Sequence, residues 1–379
     1  MLDQYNVVII GAGPAGAVIA KILAEVQIST LLIDCSQTSN WKIGEGLPPG
    51  AKPLLQKLGV WERFIEDGHL PSYGNSSAWG SSRLRDYNFI FDPNGNGWHL
   101  ERQCFDAMLA SAAVEAGAVR KCNTQVVSYQ KNQRGGWQLG LLSDKQPLQV
   151  NADFVIDASG RASWFAKRQG VIRQDYDRLV GVVALLTPQS CTSISDCSTV
   201  VEATTEGWWY LSLLSSKKLV VAYMSDADLV GAKKLQKVDN WLSLLKQTEH
   251  IQKRINLKDY YFDKLRIVSA NSSRLLPVMG ESWLAVGDAA AAFDPLSSQG
   301  IITAIATGFH AATSTISYLH GQHNALKEYS DFIRQMYFNY LSHHTAYYAL
   351  EKRWKTSPFW QRRHSLIEIK AGLTSLQYQ

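Results

Sequence analysis

No run of eighteen apolar residues occurs in the 379-residue chain, so no membrane-spanning helix is expected. Internal repeats and low-complexity linkers are also missing. The formal charge of +5 is modest, and the lysines and arginines are mostly scattered, which leaves no footprint for nucleic acid. Cysteine is scarce: Cys35, Cys104, Cys122, Cys191 and Cys197 are an odd number with no CxxC pair. That argues against a disulfide framework and a structural zinc site, so reduced thiols and no metal are expected. The chain opens Met1-Leu2-Asp3-Gln4-Tyr5 and runs straight into an apolar strand, without the basic start and cleavable apolar stretch of a secretory leader. A cytoplasmic location is expected.

What is present is a globular balance, 46% hydrophobic and 19% charged, in a chain long enough for two joined domains or one large α/β domain with an inserted sheet. Asn6 to Ile10 is a continuously apolar strand, Pro14 to Glu25 has the spacing of a buried helix, and Thr30 to Ile33 completes a βαβ unit. From Asp86 to Leu100 the pattern changes to aromatic strand, Asp-Pro-Asn-Gly-Asn-Gly and Trp98-His99-Leu100, which is hairpin chemistry. Phe105 to Ala116 is helical, and Gly136 to Val150 reads as two strands joined at Ser143-Asp144-Lys145. Strand-like segments from Val180 to Val268 flank a helix near Val238 to Lys246 and predict a mostly antiparallel sheet on the substrate side. The chain after Glu328 reads as helical. Within it, Glu351 to His364 carries five Lys or Arg against one Glu, either a solvated helix end or a docking site for an acidic partner.

Gly11-Ala12-Gly13-Pro14-Ala15-Gly16 follows a strand and opens a helix, the context a dinucleotide fingerprint requires. Gly11 permits the tight turn, Gly13 lets backbone approach a pyrophosphate, and Gly16 allows close helix-to-strand packing, with the helix N-terminus facing the phosphate charge. Asp34 ends the second strand, where a carboxylate accepts ribose hydroxyls. The choice of FAD over NAD rests on two distant segments. Trp283-Leu-Ala-Val-Gly287-Asp288 resembles the second flavin fingerprint of hydroxylase-like flavoproteins, in which the Asp binds the ribityl chain. Phe293-Asp-Pro295-Leu-Ser-Ser-Gln299-Gly300-Ile301 supplies a helix start whose N–H groups stabilise negative charge on a reduced flavin. Arg102, before a helix, matches the arginine that reaches the FAD phosphates in this superfamily. Asp157-Ala-Ser-Gly160-Arg161 stands where NADPH-using aromatic hydroxylases carry an adjacent Asp-Gly pair, and the departure implies reduction of the flavin by a separate flavin reductase or by other means rather than by direct NADPH binding.

A narrower resemblance covers nearly the whole chain. Gly44-Glu45-Gly46-Leu47-Pro48-Pro49 and Leu55-Gln-Lys-Leu-Gly59 resemble the segment that lies against the flavin in flavin-dependent halogenases and their relatives. Gly207-Trp208-Trp209-Tyr210, Met224-Ser-Asp226-Ala-Asp228, Phe293 to Ile301, and the terminal Arg353-Trp, Pro358-Phe-Trp and Arg362-Arg363 resemble the LodB/GoxB-type maturases, which help build the tryptophylquinone of LodA-like amino-acid oxidases. Two departures from the halogenases stand out. Their Trp-x-Trp-x-Ile-Pro signature is replaced, and no lysine occurs between Lys57 and Lys121, where halogenation needs one after the Gly-Glu segment.

The resemblance implies an α/β fold: a Rossmann-type, p-hydroxybenzoate hydroxylase-like FAD domain with an inserted, mostly antiparallel substrate sheet and a C-terminal helical segment. The expected boundaries are 1–75, 101–179 and 269–327 for the FAD domain, 76–100 and 180–268 for the sheet, and 328–379 for the helical segment. FAD is held non-covalently by Gly11, Gly13, Pro14, Ala15, Gly16, Asp34, Cys35, Gly44, Glu45, Gly46, Arg102, Val126, Gly287, Asp288, Pro295, Gln299, Gly300 and Ile301. Glu45 and His69 are the ionisable residues nearest in sequence to the flavin-facing segment, although a satisfied core or surface role is expected for His69 and no acid or base is assigned. With twelve Trp in the chain, core packing is the expected role of Trp79, Trp208, Trp209 and Tyr210.

The implied activity is FAD-dependent oxygenation of a Trp in a precursor LodA-like quinoprotein oxidase, glycine oxidase-like, with no nucleic-acid or membrane partner. The rivals are a small-molecule flavin monooxygenase or halogenase acting on an indole, a geranylgeranyl-reductase-like enzyme, and a chaperone that holds FAD without turnover. The sheet from Val180 to Val268 with the basic C-terminal helix is the expected docking face.

Overall fold

The computed structural model describes residues 3–35, 41–189, 196–262 and 264–365; Cys191 and the end of the expected helical segment, 366–379, lie outside the described residues. The chain divides into two compact units. The first holds Met1–Gly68, Glu101–Asp175 and Ser273–Tyr337, and the second His69–Leu100, Tyr176–Ser272 and the chain from Phe338 onward. The long helix Ala325–Ala349 is shared between them.

The first unit is built on an eight-stranded sheet. Asp3–Ile10 pairs in parallel with Thr30–Ile33 on one side and Gln146–Asp157 on the other, and Gln146–Asp157 pairs in parallel with Trp283–Ala285. Val7 to Ile10 and Leu31 to Ile33 are all buried, because helices cover both faces of a parallel sheet and an apolar run satisfies both. Register puts Ile10 beside Ile33 and Asp157, and Asp157 beside Ala285, so four strands end at one edge. The turn expected at Ser143 to Lys145 is a tight hairpin: Asp144 and Lys145 both have positive φ, 46° and 68°, as a primed two-residue turn requires. The strand leaving it runs unbroken to Asp157, because its first half pairs with Trp137–Ser143 and its second half with Asp3–Ile10.

Helix Pro14–Glu25 begins on Pro14, whose missing N–H costs nothing at that position. Helix Gly300–Leu319 packs against it closely: a Cβ built on Gly308 would lie 3.0 Å from Val18 Cγ1 and 3.2 Å from the Ala15 carbonyl.

The second unit carries its own eight-stranded sheet, antiparallel except where Thr199–Thr204 runs parallel to Gly74–Ala78. Trp209, Tyr223 and Trp241 fill its core, with Trp241 Nε1 donating to the Val182 carbonyl at 3.1 Å. His99 is buried beneath it. Its Nδ1 faces the Leu213 carbonyl at 2.8 Å and so carries the proton, leaving Nε2 to accept from Thr199 Oγ1 at 2.8 Å. Burial pulls its pKa down to about 4, so the ring is neutral.

One local expectation fails. Asp86 to Leu100 is not a hairpin, because its two strands take different partners: Arg85–Asn88 pairs with Gly74–Ala78, and Gly97–His99 with Leu70–Ser72. The Asp-Pro-Asn-Gly turn is real, with Asp92 Oδ1 accepting from Asn94 N at 2.9 Å, but it joins neighbours in sequence that are not neighbours in a sheet.

Candidate functional site

The turn after the first strand sets the geometry. Gly11 has φ +113°, and a Cβ on it would lie 2.3 Å from the Ala158 carbonyl oxygen. At Gly16 a Cβ would lie 2.0 Å from the Gly11 carbonyl oxygen, whereas at Gly13 it would meet nothing within 4 Å. Two glycines are therefore demanded by packing, while the third faces open space. Gly13 caps helix Pro14–Glu25 without a side-chain acceptor, so the N–H groups of the first turn face that space.

The second segment meets the first. Gly287 has φ +56°, and its Cβ would lie 3.0 Å from Ala15 Cβ and 3.8 Å from Ala304 Cβ. Helix Gly300–Leu319 starts after Ser298 (φ 50°) with no side-chain cap at Gln299. Asp294 instead caps the short turn Pro295–Ser297 by accepting from Leu296 N at 2.9 Å. Gly50, just past the Gly44 to Pro49 segment, faces Ile302, whose Cδ1 would lie 3.5 Å from its Cβ.

Arg102 is the first residue of helix Arg102–Glu115 and ties the Gly44 segment down. Its Nη1 donates to the carbonyls of Ile43 at 2.9 Å and Gly44 at 3.2 Å, and its Nε and Nη2 to Asp106 at 3.1 and 3.2 Å. Lys42 joins Asp106 from outside at 2.9 Å. Glu45 is buried and accepts from Gly44 N at 3.2 Å, His69 is buried, and Val126 is buried on Thr124–Lys131. Asp34 follows Thr30–Ile33 with Arg120 Nη2 3.9 Å from its carboxylate, a cation that sequence reasoning missed, and Cys35 beside it is exposed.

Asp157 lies at the same edge but is fully engaged. It accepts from Ser159 N and Oγ at 3.0 and 2.6 Å, and from Phe165 N and Ala166 N at 2.9 Å each. Its carboxylate shapes the Asp157 to Arg161 turn and the helix Trp164–Arg168. Arg161 reaches across to Asp288, with Nε 3.6 Å from Oδ2, and donates to the Phe293 carbonyl at 2.8 Å.

These pieces fit a flavin dinucleotide: an uncapped helix start over open space for a pyrophosphate, a carboxylate at the strand end for a ribose, and a second Gly-Asp turn packed against the first. Asp34→Ala is expected to weaken FAD by about 1.5–3 kcal/mol, the worth of a hydrogen bond to a charged group. FAD titration followed by fluorescence checks it, and wild-type affinity would remove Asp34 from the site.

The segments singled out in the second unit have another role. Trp208 Nε1 donates to Tyr348 Oη at 2.9 Å, and Trp360 Nε1 to the Thr204 carbonyl at 2.9 Å. Trp79 packs on Trp208 and Trp360 with centroids 6.4 and 5.3 Å apart. Arg363 pairs with Asp226 at 2.9 Å, and Arg362 with Asp226 at 2.8 Å and Asp228 at 2.6 Å. Arg353 pairs with the fully buried Glu351. Within the basic stretch, Arg362 and Arg363 thus tie the C-terminal segment to the strand Leu219–Asp226 and the turn after it, Arg353 pairs inside its own segment, and Lys352 and Lys355 stay exposed.

The family model described as FAD binding domain matches residues 4–336. The chain is 31% identical, over 97% of its length and 99% of the relative's, to a putative FAD-dependent oxidoreductase, LodB, of Marinomonas mediterranea. Among solved structures it resembles the chondrochloren halogenase CndH, with TM-score 0.85 and 20% identity over 99% of this chain and 90% of that one. It also resembles the peptidyl tryptophan dihydroxylase QhpG, essential for tryptophylquinone cofactor biogenesis, with TM-score 0.76 and 21% identity over 95% and 78%.

Proposed function

From the premise that this chain belongs to the LodB/GoxB-type family of FAD-dependent oxidoreductases, we propose that it oxygenates a tryptophan side chain of a precursor amino-acid oxidase during tryptophylquinone formation. The observation that carries this reading is the end-to-end match to LodB, and the fold shared with a peptidyl tryptophan dihydroxylase supports it. No described helix is long and apolar enough to cross a membrane.

FAD, when bound, supplies the electrons and the oxygen-transfer chemistry. The chain holds and orients it. With FAD in place, the N–H groups that follow Gly13 would meet the pyrophosphate, Asp34 would take the ribose, Asp288 the ribityl chain, and the N-terminus of helix Gly300–Leu319 would stabilise negative charge on the ring. Halogenation lacks a carrier. No lysine lies between Lys57 and Lys121, and the flanking Lys52 and Lys57 sit over the rings of Trp61 and Phe309. Asp157 already accepts from four donors, which favours electron delivery by a separate reductase over direct NADPH binding at that turn.

The test is co-expression with the precursor oxidase, followed by peptide mass spectrometry. One Trp is expected to gain oxygen only when the chain is present. If the precursor stays unmodified while free tryptophan or another small indole is turned over efficiently, the enzyme is a small-molecule monooxygenase instead.

A further inference from the structure

Arg173 carries no signal in the sequence, yet its side chain binds the backbone of the Gly-Asp turn directly. It lies on Ile172–Asp175, which pairs with Ser273–Leu276, and that strand pairs in turn with Ala291–Ala292. Its guanidinium donates to the Asp288 carbonyl at 2.9 Å, the Ala289 carbonyl at 3.3 Å, Ser273 Oγ at 2.9 Å and Ser163 Oγ. Ser163, fully buried at φ +44°, itself donates to the Ala289 carbonyl at 3.0 Å. One planar fork thus fixes consecutive carbonyls of the turn Gly287–Ala289, a task a lysine's point charge does not reproduce.

Charges of both signs surround the turn. Asp288 has Arg161 at 3.6 Å, and Arg173 is held on its backbone. Burial and the Arg161 charge push the Arg173 pKa down, while Asp288, Asp175 and Tyr337 act the other way. What Arg173 brings to the turn is therefore its directed hydrogen bonds rather than a surplus of charge.

We infer that Arg173 is a positioning residue for FAD: its planar fork holds the Gly287–Ala289 turn in its flavin-binding shape. The inference rests on the assignment of Asp288 to the flavin and is independent of which substrate is oxygenated.

The test compares Arg173→Gln and Arg173→Lys holoproteins by FAD affinity and by thermal unfolding. Both variants are expected to fold and to bind FAD about tenfold more weakly, the equivalent of one hydrogen bond to a charged group, because neither side chain reproduces the fork. If Arg173→Gln does not fold, the lysine variant decides: weaker FAD in a folded protein supports the inference, and wild-type affinity overturns it. Wild-type affinity in Arg173→Gln overturns it as well.

Discussion

Gly16→Ala is expected to lose both FAD and much stability, while Gly13→Ala keeps its fold at a small cost and loses FAD. The two glycines sit three residues apart, Gly13 as the N-cap and Gly16 inside the helix, and their missing Cβ atoms would meet different surroundings. At Gly16 it would be 2.0 Å from the Gly11 carbonyl oxygen and 3.1 Å from Ala158 Cβ, so the first helix must move off the first strand. Overpacking of this kind costs about 1–3 kcal/mol when side chains absorb it, and here the nearest atom is backbone. At Gly13 nothing lies within 4 Å, and the position is a helix N-cap where Ala in place of Gly costs on the order of 1 kcal/mol. The added methyl instead occupies the space through which backbone approaches a pyrophosphate, so FAD should bind at least about tenfold more weakly, roughly 1.4 kcal/mol. Thermal unfolding of the FAD-free proteins with parallel FAD titration separates the two. A Gly16→Ala protein with wild-type melting and full FAD would contradict the packing argument, and a Gly13→Ala protein that binds FAD normally would move the phosphate elsewhere.

Asp226→Ala is expected to be among the most damaging single changes in the second unit. Its carboxylate is 2% exposed and holds Arg363, 3% exposed, at 2.9 and 3.3 Å, with Arg362 at 2.8 Å. Removing it strands a buried guanidinium, a loss of about 3–5 kcal/mol when one partner of a buried pair is deleted. Arg362 contributes little to that figure, because it is 41% exposed and keeps Asp228. Arg363 retains the Phe359 carbonyl at 3.0 Å, the Phe359 ring 3.5 Å away and the weaker field of Asp177, none of which replaces the paired carboxylate. Combining Asp226→Ala with Arg363→Met should recover much of the loss, since the buried charge then leaves with its partner. Denaturant unfolding of the single and double variants tests this. A single variant within about 1 kcal/mol of wild type would mean that water reaches Arg363 and the pair is not truly buried.

The nucleotide-binding half of the first unit was legible because its chemistry is local. A strand, a glycine turn and a helix are fixed by residues a few positions apart, so Asn6 to Ile10, Gly11 to Gly16 and Asp34 could be read directly from their order. The primed turn at Asp144-Lys145 was legible for the same reason. The failed hairpin at Asp86 to Leu100 shows the limit of that reasoning: the turn residues were read correctly, but strand pairing is chosen across the sheet, and each strand found a partner outside the segment.

What the sequence by itself determined is the FAD-binding frame, because the backbone geometry that glycine allows and the acid that ends a strand leave few other folds for that order of residues. It also singled out Asp226, Asp228, Arg362 and Arg363, though only as family marks. Tertiary structure alone decided what those marks do, since paired charges more than a hundred positions apart meet only when strand Leu219–Asp226 and the C-terminal segment fold together, which makes Arg362 and Arg363 an internal anchor. It decided likewise that Asp157 is consumed by its own turn and that Arg173 braces the Gly287–Ala289 turn. A side chain's partners depend on which distant backbone is brought within about 3 Å of it, the range of a hydrogen bond, and no local pattern encodes that.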